Sequence, residues 1–162
     1  MNQNYGKDFE RQVKLSLEQV HDIDVYRIPD QQSGYFGSKN LADFMVYKYP
    51  NHYYFECKTV HGTSLNFQRI TTNQWQGLLK KSQIKGNVCG ILCWYVDKDV
   101  TLFLPIEFLE ELKKIGQKSV RYDTLLNPVY FSEISWKPKV VEGKKRRIFY
   151  DYDFESFFNE VG

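Results

Sequence analysis

Apolar residues near the start of the chain recur with the spacing of a helix. Four of them follow one another at intervals of three or four positions: Phe9, Val13, Leu17 and Val20. This spacing predicts an amphipathic helix over residues 5–21, with one face buried against a core. The apolar positions of residues 154–161 predict a shorter amphipathic helix at the other end.

Strand and helix signals alternate between these two helices. Segments 43–48 and 53–59 flank a Tyr-Pro-Asn-His sequence that is typical of a β-hairpin. The near-continuous apolar run at 88–95 is typical of a strand buried on both faces. Further elements are expected as strands over 25–28 and 100–104, a helix from Thr71 or Thr72 to 85, and a helix over 105–115. This order predicts one α/β domain, a mixed sheet with helices on its faces.

Composition limits the class of protein. The 162 residues are 42% hydrophobic and 17% aromatic, enough for one domain with a substantial core. No apolar run reaches the length of a membrane span, and the charged first twenty residues do not resemble a secretory leader. Three cysteines without a Cys-x-x-Cys pair favour neither a disulfide framework nor a structural zinc site. We therefore expect a cytoplasmic globular protein with no membrane partner.

Charge is unevenly distributed although the net value is only +2. Residues 57–96 contain five cations and no carboxylate, and residues 137–147 contain six basic side chains and one acid. The last fifteen residues reverse the sign. Such segregation favours a surface that binds a polyanion such as nucleic acid, and binding of this kind weakens with salt. The alternative is a solvated basic face with no partner.

The candidate chemistry lies in Asp43, Glu56 and Lys58. Alternate side chains of a strand share a face, so Glu56 and Lys58 point the same way. The predicted hairpin brings Asp43 beside Glu56. Two adjacent carboxylates are costly unless a divalent cation neutralises them, and a hard cation with oxygen ligands suits phosphodiester chemistry.

Two further residues extend this group. Glu10 lies beside the apolar stripe of the first helix, where a third carboxylate can reach the cluster, and Gln74 opens the basic helix. The alternative is purely structural: Asp43 caps a strand end, while Glu56 and Lys58 form a same-face ion pair.

The pattern Asp…Glu-x-Lys resembles the PD-(D/E)xK nuclease superfamily, and the surrounding sequence resembles its RecU branch of Holliday junction resolvases. The matching stretches, in order, are residues 6–10, 42–44, 55–59, 63–67, 73–74 and 116–121. They cover most of residues 5–126 with similar spacing, which is far more specific than the tripeptide alone.

The resemblance implies a restriction-endonuclease-like fold over 1–162, with a catalytic core at about 5–126. It implies a Mg²⁺-dependent endonuclease, with Mn²⁺ as an alternative metal, that binds four-way or other branched DNA as a homodimer. Asp43, Glu56 and Gln74 match metal-binding positions, Lys58 matches the group that stabilises the transition state, and Glu10 matches the acid of the first helix.

Two departures leave other substrates and functions open. Leu41 and Ala42 stand where the family has a metal-binding threonine, and residues 30–40 are too short for the family's stalk. One alternative is a less selective nuclease on duplex, nicked or flap DNA. The other is a DNA-binding protein on the same fold without cleavage.

Basic residues are expected to contact the DNA backbone. Those expected nearest the scissile bond are Arg27 and Lys39. The others are Arg69, Lys80, Lys81, Lys85, Lys118, Arg121, Lys144, Lys145, Arg146 and Arg147.

Overall fold

A computed structural model of the chain describes residues 3–30, 40–127 and 136–161. The helices of the described part are α1 (Tyr5–Leu17), α2 (Thr72–Ser82), α3 (Ile106–Lys114) and α4 (Phe154–Val161). Its strands are β1 (Asp24–Arg27), β2 (Phe44–Lys48), β3 (Asn51–Val60), β4 (Ser64–Asn66), β5 (Asn87–Tyr95), β6 (Val100–Pro105), β7 (Ser119–Arg121), β8 (Lys139–Val140), β9 (Gly143–Arg146) and β10 (Phe149–Tyr152). These helices are too short and too polar to cross a lipid bilayer.

Six strands form the central sheet, in the order β1-β2-β3-β5-β6-β8. Strands β3 and β5 run parallel, and every other neighbouring pair is antiparallel. Because parallel neighbours need a crossover connection, α2 returns the chain over one face of the sheet between β3 and β5. The predicted mixed sheet in a single α/β domain is therefore confirmed.

The two faces of the sheet bury separate cores. Helices α2 and α3 cover one face, while α1, α4 and the β9–β10 hairpin cover the other. Side chains of β3 alternate between these cores: Tyr54 lies in the first, and Phe55 and Cys57 lie in the second. Glu56 and Lys58 therefore point towards the face that α2 covers.

Both long helices end earlier than the apolar spacing predicts. Helix α1 ends at Leu17 instead of residue 21, and α2 ends at Ser82 instead of residue 85. After each end, backbone N–H groups bond to carbonyl groups three residues back, which tightens the last turn and stops the helix. The sequence also failed to predict β4 and the strands between residues 119 and 152. Most of the predicted loop at 30–40 lies outside the described residues.

Candidate active site

Pairing of β2 with β3 brings Asp43 and Glu56 together. Asp43 directly precedes β2, and its N–H donates to the Phe55 carbonyl at 2.9 Å. Its Oδ2 accepts the Cys57 N–H at 2.8 Å. Since Phe44 lies opposite Phe55, Asp43 lies opposite Glu56, and the two carboxyl groups are close enough to interact electrostatically. The proximity expected from the hairpin is observed.

This contact is electrostatically costly. Burial, followed by the neighbouring Glu56 carboxylate, raises the pKa of Asp43 to about 7, against the opposing effects of the Cys57 N–H and Arg27. Both side chains are largely shielded from water, with 14% of Asp43 and 8% of Glu56 exposed. Near neutral pH the pair therefore holds a proton that a cation would displace.

Glu56 Oε2 has two nitrogen partners on its own side of the sheet. Lys58 Nζ lies 3.1 Å away, as the alternation of β3 predicted. The amide nitrogen of Gln74 donates to the same oxygen at 3.1 Å. The structure therefore gathers Asp43, Glu56, Lys58 and Gln74 in one place.

A capping box at the start of α2 fixes the Gln74 side chain. Thr71 Oγ1 accepts the Gln74 N–H at 3.1 Å, and Gln74 Oε1 accepts the Thr71 N–H at 3.2 Å. Gln74 therefore presents its amide nitrogen to Glu56 while its oxygen is bonded to the helix cap. In this conformation the side chain orients Glu56, and its predicted role in holding metal stays a prediction.

Thr71→Ala is expected to lower the free energy of unfolding by about 1 kcal/mol, because the helix loses its N-cap acceptor. Urea titration followed by fluorescence of the buried Trp75 and Trp94 measures this. Thr72→Ala is the matched control, since Thr72 is already helical and alanine has the higher helix propensity. Equal losses in the two variants would contradict the cap assignment.

Arg27 links the third carboxylate to this group. Its Nη2 lies 2.8 Å from Glu10 Oε2, 3.7 Å from Asp43 Oδ1 and 3.4 Å from Asp30 Oδ1. Burial, followed by Asp43, raises the pKa of Glu10 even though Arg27 opposes it. Glu10 thus reaches the cluster through Arg27. The sequence indicated Arg27 as a DNA contact near the site, and its ion pairs with carboxylates were missed.

The carboxylates of Asp43 and Glu56 fit a hard divalent cation that has few protein ligands. Within the described residues, no three His, Cys, Asp or Glu side chains form a group that could hold a metal. Mg²⁺ commonly uses one or two carboxylates and completes its coordination with water and substrate phosphate. Asp43 and Glu56 supply those two carboxylates.

Leu41 is one of the two residues that stand where the family has a metal-binding threonine. In this structure Leu41 has a packing role. Its Cδ1 lies so close to Gly77 of α2 that a Cβ built on Gly77 would be 2.2 Å from it. Leu41 also packs against the core that α2 and α3 cover. The position therefore fixes α2 over the sheet through apolar contact.

The other predicted DNA contacts lie in separate groups. Arg69 lies nearest the site, with its Nη1 donating to the Thr59 carbonyl at 2.5 Å. Lys80, Lys81 and Lys85 are exposed at the end of α2 furthest from Gln74. Arg121 is paired with Asp123 at 3.0 Å, and Lys118 precedes β7. Four more, Lys144, Lys145, Arg146 and Arg147, belong to the β9–β10 hairpin. Lys39 lies outside the described residues.

The chain is similar to a known protein family and to a solved structure. The family model Recombination protein U matches residues 9–141. No curated protein matches the chain. Among solved structures, that of Archaeoglobus fulgidus Hjc, a Holliday junction resolvase from an archaeal hyperthermophile, matches with a TM-score of 0.53 and 16% identity. The match covers 76% of this chain and 93% of that chain, and at this identity it concerns the fold.

Proposed function

The chain belongs to the Recombination protein U family, and on that premise we propose that it is a metal-dependent endonuclease that cuts branched DNA, Holliday junctions above all. The observation that carries the proposal is the contact of two shielded carboxylates, Asp43 and Glu56, beside Lys58. A surface that only binds DNA has no use for this pair, because without a cation it repels phosphate.

Asp43 and Glu56 would hold the cation, Mg²⁺ or Mn²⁺. Once bound, such a cation neutralises the pair, lowers the pKa of water and polarises a phosphoryl oxygen. Lys58 Nζ would stabilise the negative charge that develops on the phosphate in the transition state. Gln74 is proposed to hold Glu56 in its orientation, and Glu10 to act on Asp43 through Arg27.

The proposed DNA surface uses the cations outside this cluster. Arg69 precedes α2, Lys80 and Lys81 lie in its last turn, and Lys85 follows it, on the face of the sheet towards which Glu56 and Lys58 point. Lys118 and Arg121 lie near β7. Contacts of this kind go to phosphates and carry little sequence information. Binding should therefore depend steeply on salt and weakly on base sequence.

Resolution of a four-way junction requires two cuts in strands of like polarity, and one copy of this site makes one cut. We propose that two copies act together as a homodimer on one junction. The short segment at 30–40, where the family has a stalk, favours a second candidate: a nuclease of the same chemistry with weaker preference for junctions.

The test is strand cleavage by purified protein with Mg²⁺ or Mn²⁺ on labelled four-way junctions, flaps and linear duplexes. Glu56→Gln serves as the matched inactive variant, because it removes the charge and keeps the shape. DNA binding is measured in EDTA for both proteins, so that binding and cleavage are read separately.

Three outcomes separate the candidates. Paired symmetric nicks on the junction, lost in Glu56→Gln, would support the resolvase. Metal-dependent cleavage of every substrate would favour the less selective nuclease. Intact binding in both proteins without metal-dependent cleavage would overturn the enzymatic proposal and leave a DNA-binding protein.

A further inference from the structure

The β9–β10 hairpin lies after the part of the chain that the family model matches, which ends at residue 141. Every residue of β9 is exposed, and three of its four residues are cations. Its partner strand β10 packs half-buried or buried side chains against α1 and the aromatic residues beneath it. The hairpin thus presents one basic strand to solvent.

The tip of this hairpin has an unusual residue for its backbone. Arg146 pairs with Phe149, so Arg147 and Ile148 form a two-residue turn. Arg147 has φ of +55°, in the left-handed region where hairpin turns favour glycine or asparagine. Ile148 beside it is 43% exposed. An arginine with an exposed side chain at a position that strains its backbone indicates a role beyond folding.

Ion pairs hold the hairpin and leave its tip free. Lys145 Nζ lies 2.8 Å from Asp99 Oδ1, and Arg146 Nε lies 2.8 Å from Asp151 Oδ2. Within the described chain, Lys144 and Arg147 have neither an ion pair nor a side-chain hydrogen bond. The cation at the tip is therefore available to an anion.

Strand β10 fixes the hairpin to the domain at both of its ends. Tyr152 Oη is 2.8 Å from Thr101 Oγ1, and the Tyr152 N–H donates to Ser16 Oγ at 3.0 Å. The Phe149 ring lies 5.6 Å from Trp94 and 6.3 Å from Tyr5. Contacts at both ends of β10 therefore hold the hairpin against the domain and fix the position of its exposed basic strand and tip.

A short chain of contacts relates the tip to the candidate active site. The Tyr5 ring, which contacts Phe149 next to the tip, also lies 4.7 Å from the His61 ring. His61 follows Lys58 by three residues, about 10 Å of extended chain. With the two residues from Arg147 to Phe149 and the side-chain lengths included, the tip lies within roughly 35 Å of Lys58, about ten base pairs of duplex at about 3.4 Å each.

We propose that the β9–β10 hairpin is a β-ribbon that enters a groove of the duplex arm leaving the active site, with Arg147 at its leading end. A two-stranded ribbon fits the major groove, whose width is about 12 Å. This inference rests on the proposed function for its partner, DNA. It adds that the substrate must carry a duplex arm long enough to reach the tip.

Arg147→Gly tests this with two effects of opposite sign. Glycine relieves the strained backbone, so the melting temperature is expected to rise by about 2–4 °C. Affinity in EDTA for branched DNA with 12-base-pair arms is expected to fall about three- to tenfold, with a salt dependence shallower by about one phosphate contact. With 4-base-pair arms, the two proteins are expected to bind equally.

Two control variants separate the effect of losing a positive charge from the effect of relieving backbone strain. Asp22 also has positive φ, in the turn beyond the far end of α1, so Asp22→Gly relieves similar strain without a loss of affinity. Lys114→Ala removes an exposed cation from α3, on the other face of the sheet. Arg147→Asn is a second tip variant, because asparagine tolerates the left-handed region.

Unchanged affinity of both tip variants for the long-armed substrate would overturn the inference while leaving the nuclease proposal intact. An equal loss of affinity for long-armed and short-armed DNA would also overturn it, because Arg147 would then not contact the distant part of the arm. Failure of the unmodified protein to bind any of these DNAs would instead count against the proposed function itself.

Discussion

A Lys58→Met variant is expected to cut branched DNA about 100- to 1000-fold more slowly than the unmodified protein while binding it almost as tightly. Removal of one preorganised group that stabilises transition-state charge typically costs this much in rate. Lys58 lies 3.1 Å from Glu56 with 16% of its side chain exposed, so it adds little to a broad phosphate-binding surface. Single-turnover cleavage at saturating Mg²⁺ and affinity in EDTA measure the two quantities.

Methionine keeps the unbranched stem of lysine and removes the charge, so the side-chain packing is retained. Lys114→Met, on an exposed position of α3, makes the same change away from the site and should leave cleavage within twofold. Lys58→Arg should recover only part of the rate, because a planar guanidinium differs in shape from a compact ammonium. Cleavage by Lys58→Met within threefold of the unmodified rate would contradict the assigned role.

The core of the candidate site could be predicted because local rules determine it. Alternation along β3 puts Glu56 and Lys58 on one face, and a hairpin with a short turn puts Asp43 beside Glu56. The ion pairs of Arg27 could not be predicted in the same way. They depend on α1 and β1 packing together, and the sequence pattern does not give the position of Glu10 relative to that strand.

The C-terminal strands were missed because their stability is not local. Strand β9 is almost entirely charged, and its turn, Arg147-Ile148, lacks the Asn-Gly or Asp-Gly signal of a hairpin. Its partner β10 is held by contacts with residues more than 130 positions away, such as the bond from the Tyr152 N–H to Ser16. Pattern reasoning detects elements whose own residues alternate or repeat, and this ribbon does neither.

An Asp43→Asn variant is expected to be more stable than the unmodified protein without metal at pH 8, and to lose metal-dependent cleavage. The pKa of Asp43 is about 7 when folded and near 3.8 when unfolded, so ionisation of this group destabilises the metal-free fold as pH rises through that range. Asparagine keeps an oxygen for the Cys57 N–H and can donate to Glu56. The gain in unfolding free energy should be about 2–4 kcal/mol at pH 8 and near zero below pH 4.

Metal should stabilise the unmodified protein and have no such effect on Asp43→Asn. Mg²⁺ should raise the melting temperature of the unmodified protein more at pH 8 than at pH 5.5, because its ligands bind metal only when deprotonated. Asp43→Asn should show no such rise. Asp123→Asn is the control: Arg121 lowers the pKa of this exposed carboxyl, so its removal should give no gain at pH 8. If Asp43→Asn were less stable than the unmodified protein at pH 8, the carboxylate pair would not be the strained feature that a cation relieves, and Asp43 would have a structural role instead.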